Sequence, residues 1–127
     1  MKADIRWENE AKTVIRYTYT GDWNWEDFYR ILEWRDPDVP HGSEVCVLVD
    51  FRQTTRPPSD AILHLKRAAR MAEETEGLII LITNSSALIT LYNVFIIVYR
   101  AVSRRFRIVS SDREAYAILG LPYDGNS

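Results

Sequence analysis

Val45-Cys46-Val47-Leu48-Val49-Asp50 is a continuous apolar run closed by a carboxylate. A half-exposed strand alternates apolar and polar residues, whereas an unbroken run of this length fits a central strand covered on both faces. The strand is predicted over Glu44 to Phe51. A second such run, Leu78 to Thr83, follows Gly77. Two buried strands with helices between them require a sheet with parallel neighbours and helical cover.

The flanking segments fill in the rest. Upstream, Ile5 to Asn9 and Thr13 to Thr20 read as strands joined by a polar turn around Glu8 to Ala11. Gly21-Asp22 breaks the second. Asn24 caps a first helix, with Asp27 at its positive end and Trp23 and Phe28 spaced as a hydrophobic staple. Asp36-Pro37 and Val39-Pro40 stop it. Downstream of Arg52 to Pro58, Ser59 caps a second helix reaching about Glu74. Asn84, Ser85 and Ser86 cap a long third helix to about Ser103, and Arg105 to Ser110 forms a last strand. Ser111 and Glu114 have the spacing of a capping box, and Gly120 ends the short helix they open. The prediction is an α/β fold: a mixed β-sheet opened by an antiparallel strand pair, with about four helices packed on it.

With 127 residues the chain suits one domain, placed at residues 4–120 with a short tail over 121–127. Hydrophobic residues at 46% and charged residues at 27% exclude a disordered chain. A single cysteine excludes an internal disulfide and a cysteine-rich zinc site. The net charge of −2 divides unevenly, −5 over residues 1–50 and +3 over residues 51–127. That balance speaks against nucleic acid as a partner. Met1 to Trp7 has no apolar signal-peptide core. Ala87 to Val102 is interrupted by Thr90, Asn93 and Arg100 and falls short of the ~20 apolar residues a membrane span needs. A cytoplasmic protein without a transmembrane segment is expected.

Tyr19-Thr20-Gly21-Asp22 before the first helix, Val47-Leu48-Val49-Asp50-Phe51-Arg52 ending the central strand and the closing Ser111 to Leu119 together resemble the STAS and SpoIIAA-like domains. The resemblance spans roughly residues 4–120 and implies their topology. It also implies action through partner binding, since the family includes anti-sigma-factor antagonists switched by phosphorylation of a serine after the central-strand aspartate. Here Phe51 and Arg52 stand in that place, so the phosphoswitch does not carry over. The looser SpoIIAA-like branch, linked with lipid or apolar-ligand binding, is the nearer likeness.

Two constellations are candidate sites. After the buried strand, Asp50, Arg52, Thr54, Thr55, Arg56 and Ser59 offer two cations and three hydroxyls where open α/β sheets bind ligands and where a helix begins, which suits an anion. The same stretch also reads as a polar loop in which Ser59 merely caps the helix. The third helix is apolar around far more than the ~100° arc that faces a core. Leu88, Leu91, Tyr92, Phe95, Ile96 and Tyr99, with Trp34 and Tyr29 from the first helix, are the candidate apolar surface, for a protein partner or an apolar ligand; the other reading is a helix buried by its own domain. A symmetric homodimer is the simplest partner.

Enzyme signatures are missing. His41 and His64 have no metal-ligand spacing, there is no nucleophile elbow or phosphate-binding glycine loop, and Cys46 lies within an apolar strand. The expectation is a non-catalytic binding or regulatory module acting through protein–protein association, with no cofactor and no metal. The alternative is a carrier of lipid or another apolar small ligand held between the first and third helices.

Overall fold

The computed structural model describes residues 2–22, 24–26, 29, 45–54, 64, 66–67, 70 and 77–123. Among the described residues five strands, β1 (Lys2–Trp7), β2 (Val14–Gly21), β3 (Cys46–Thr54), β4 (Ile79–Ile82) and β5 (Phe106–Val109), form one sheet in sequence order. β1 runs antiparallel to β2, and β2 through β5 are mutually parallel. The helices with both ends among the described residues are α1 (Ser86–Val98), the single turn α2 (Arg100–Ser103) and α3 (Asp112–Leu119).

Both faces of the sheet are covered, which is why β3 and β4 carry no polar alternation. On one face Ile15, Tyr17, Tyr19, Val49, Phe51 and Ile79 pack with Phe95 of α1 and with Trp25 and Tyr29. On the other Val14, Leu48, Ile80, Ile82 and Val109 pack with Ala115 of α3. The rings of Tyr19 and Phe51 stack across β2 and β3 at 5.1 Å. Where β4 approaches the start of β3, a Cβ on Gly77 would collide with the Val45 carbonyl, so this position admits only glycine. The β1–β2 connection is folded by Asn9, whose side-chain oxygen accepts the Thr13 N–H at 3.1 Å while Lys12 takes a left-handed backbone.

The α/β class and the antiparallel opening pair agree with the sequence reading; the count of about four helices does not. Among the described residues only two helices exceed a single turn, α1 and α3. The long third helix expected to reach Ser103 breaks at Tyr99, where φ −117° and ψ 60° leave the helical region. Of the two earlier helices, Trp25, Glu26 and Tyr29, and His64, Lys66, Arg67 and Arg70, are helical, too few positions to bound an element. The rest of both predictions, with the Ser59 cap, lies outside the described residues. The closing helix forms as its local signals require: the Ser111 hydroxyl accepts the Glu114 N–H at 3.2 Å, and Gly120 ends it with φ 70°.

Candidate functional site

Asp50 points to the α3 side of the sheet, two residues beyond Leu48 in the strand alternation. Arg16 on β2 points to the same side. Because Arg16 pairs with Leu48 and Thr18 with Asp50, the two charges lie diagonally across adjacent strands. Both are buried, at 3% and 4% exposure, and the Arg16 Nη1 donates to Asp50 Oδ2 at 3.1 Å. The remaining Arg16 nitrogens are engaged as well: Nε donates to Glu8 Oε1 at 2.5 Å and Nη2 to Asp112 Oδ1 at 3.0 Å.

Just past Asp50 the register shifts, so that Thr20 meets Gln53 and β3 holds one extra residue. Such a bulge re-aims side chains. Arg52 turns back on Asp50 as a fork, with Nε to Oδ1 at 3.0 Å and Nη2 to Oδ2 at 2.8 Å, and its backbone N–H donates to Oδ1 at 2.9 Å. Its Nη2 also donates to Asp112 Oδ1 at 2.9 Å. Asp112 stands in the first turn of α3, where the helix end favours an anion. One turn on, the Tyr116 hydroxyl donates to Glu8 Oε2.

The electrostatics follow from this geometry. Burial opposes ionisation of Asp50, but the hydrogen bonds and charge of Arg52 and the charge of Arg16 outweigh it and hold the carboxyl below the usual range. Burial likewise opposes the charge on Arg16, and Glu8 and Asp112 more than offset it, raising its pKa. Arg52 is raised by its hydrogen bond to Asp50 against a smaller burial effect. Tyr116 is pushed up by burial and by Glu8, with Arg16 pulling the other way. Asp50 accepts four hydrogen bonds, which fills the roughly four acceptor sites of a carboxylate. Held ionised and fully occupied, it is a weak base and a poor nucleophile.

The structure thus brings Asp50 and Arg52 together, but with Glu8, Arg16, Asp112 and Tyr116, which the sequence reading did not single out. Thr54 is apart, its hydroxyl donating to the Phe51 carbonyl at 2.7 Å. Thr55, Arg56 and Ser59 lie outside the described residues. No group of His, Cys, Asp and Glu among the described residues could hold a metal ion. The one signal that could have found Arg16 is its period-two placement with Val14, which sets a cation on a buried strand face.

The apolar surface is distributed differently from the residues chosen for it. Phe95 is buried, and Leu88, Leu91, Ile96 and Tyr99 are half-buried against the core; Tyr92 is half-buried, and burial raises the pKa of its hydroxyl against the opposing charge of Arg107. Tyr29 is core, its hydroxyl 2.7 Å from His64 Nδ1, and Trp25 stacks on His64 at 4.8 Å. Trp34 lies outside the described residues. The solvent side of α1 instead presents Ile97 at 65% and Val98 at 60% exposure, together with Ile89. No charged residue occurs anywhere in the helix. No helix among the described residues is long and apolar enough to cross a membrane. No protein-family model and no curated protein matches this chain, so the functional reading rests on this geometry.

Proposed function

We propose that the protein is a non-catalytic binding module that acts through association with another protein, using the solvent side of α1. The observation that carries this reading is a 13-residue helix without a single charge that leaves Ile97 and Val98 more than half exposed. A surface helix normally gives its outer side to charged residues, and exposed apolar patches mark contact surfaces. The charge cluster supports the same reading from the other side: its carboxylates and guanidiniums are spent on one another, which ties β1–β2, β3 and α3 together rather than serving a reaction. A cytoplasmic location belongs to the proposal, and a chain whose single cysteine can form no internal disulfide is compatible with it.

Native mass spectrometry of the protein isolated from its own cells tests it. The expected result is a protein assembly heavier than the 14.8 kDa chain. A Val98→Glu/Ile97→Glu variant should lose the partner while keeping the wild-type circular dichroism spectrum. A bare monomer, or an assembly that the variant leaves unchanged, would overturn the proposal, and a retained lipid mass would favour a carrier instead.

A further inference from the structure

β1 is an edge strand: the sheet begins with it, and among the described residues no strand pairs with its outer side. An open edge is a template for another strand, and natural proteins either block it or use it. The way this edge is charged points to use. The Glu8 N–H donates to the Val14 carbonyl at 2.9 Å, continuing the register that pairs Arg6 with Arg16 and Asp4 with Thr18. With the two-residue alternation of a strand, the backbone groups of residues 4 and 6 therefore face β2, and those of Ile5 face outward.

We infer that two copies of the chain pair antiparallel through β1, about a twofold axis at Ile5, joining their sheets into one of ten strands. In that register the two Ile5 residues exchange backbone hydrogen bonds. Asp4 lies opposite the partner's Arg6, and Arg6 opposite the partner's Asp4. Both residues are exposed, Arg6 at 65% with only a 3.7 Å approach of its Nε to Glu8. They fall at the non-hydrogen-bonded positions, where facing side chains are closest. Each twofold pairing makes every such contact twice.

The neighbouring registers are excluded by charge. An axis at residue 4 sets Asp4 against the partner's Asp4, and an axis at residue 6 sets Arg6 against the partner's Arg6; like charges directly opposite are destabilising. Axes at residue 3 or 7 leave only the strand ends overlapping. The other face of the strand is apolar: Ile5 and Trp7 are half-buried at the margin of the core that contains Ile15 and Tyr17. Pairing at Ile5 extends that core from one copy into the next. This interface lies apart from α1 and stands or falls independently of the proposed partner surface.

Sedimentation velocity on the purified full chain tests the inference. The wild type should be a dimer. Asp4→Arg alone and Arg6→Asp alone should each weaken it about tenfold or more, because each creates two like-charge contacts. Asp4→Arg/Arg6→Asp together should restore it, since the swap returns opposite charges to the same positions. The Ile97→Glu/Val98→Glu variant should dimerise like the wild type. A second readout fixes the register: in a Cys46→Ser background, Ile5→Cys should form an intermolecular disulfide on mild oxidation. Facing hydrogen-bonded residues lie about 5.5 Å apart at Cα, within disulfide range. A monomeric wild type, single variants that stay dimeric, failure of the folded double variant to recover, or an Ile5→Cys variant that does not cross-link would each overturn it.

Discussion

Arg16 and Asp50 form a buried ion pair between adjacent parallel strands, Nη1 to Oδ2 at 3.1 Å, with a second arginine, Arg52, closing on the same carboxylate. Buried charges are tolerated only when paired, and removal of one partner strands the other in a medium that cannot solvate it. Arg16→Met fills much of the volume but leaves Glu8 and Asp50 short of a cation. The variant should lose about 3 kcal/mol of stability in urea unfolding. A loss of a few tenths would mean that the cluster is solvated in solution.

Asp50 also sets an acid limit. Its folded pKa lies below the ordinary carboxylate value of about 4, so the folded state holds the ionised form preferentially. The stabilisation is complete above that ordinary value and is lost as pH falls through the lower, folded one. Thermal unfolding of the wild type should therefore decline steeply in acid, and Asp50→Asn, which cannot ionise, should start lower at neutral pH and decline less. Parallel pH curves for the two proteins would contradict this assignment.

How far the sequence could be read depended on the distance over which each feature is decided. Ser111, Glu114 and Gly120 specify α3 within ten residues, and their cap forms as spelled out. The Val45–Asp50 run announces a strand covered on both sides without reference to any partner. Glu8, Arg16, Asp50 and Asp112 meet only because the strand order and the crossovers bring them together from four separate segments, and no local pattern encodes that. The helix break at Tyr99 belongs to the same class, since its ring packs on Phe95, which in turn packs on Phe106 of β5. For α1 the difficulty is direction: a helix that is apolar around most of its circumference does not say which side faces the sheet. Hence Leu88, Leu91 and Phe95, chosen from sequence as a partner or ligand surface, turn toward the core in the fold, while Ile97 and Val98, which were not chosen, are exposed.

Gly77 is a position where a single methyl group decides. The collision it would cause is with the backbone of Val45, which cannot rotate away as a side chain would. The same strands are joined there by the Val47 N–H to the Leu78 carbonyl at 2.8 Å, so any shift also strains the β3–β4 ladder. Gly77→Ala should cost about 1–3 kcal/mol, the range for overpacked sites, measured by chemical denaturation. Wild-type stability in that variant would show that the strand entry yields.

Two residues apart on α1, Phe95 and Ile97 should respond in opposite ways to the same truncation. Phe95 is buried in the core between Tyr99 and Phe106, with ring centroids 5.5 Å and 4.9 Å away. Phe95→Ala removes those contacts and opens a cavity that the sheet behind it cannot close, at about 3–5 kcal/mol. Ile97 is 65% exposed, and Ile97→Ala should change monomer stability by no more than about 0.5 kcal/mol. Its effect should appear instead in partner retention, because an exposed isoleucine contributes to association only when a second surface covers it. Denaturation of the two variants separates these roles: a large loss from Ile97→Ala in the isolated chain would mean that the side of α1 assigned to a partner is already used within the fold.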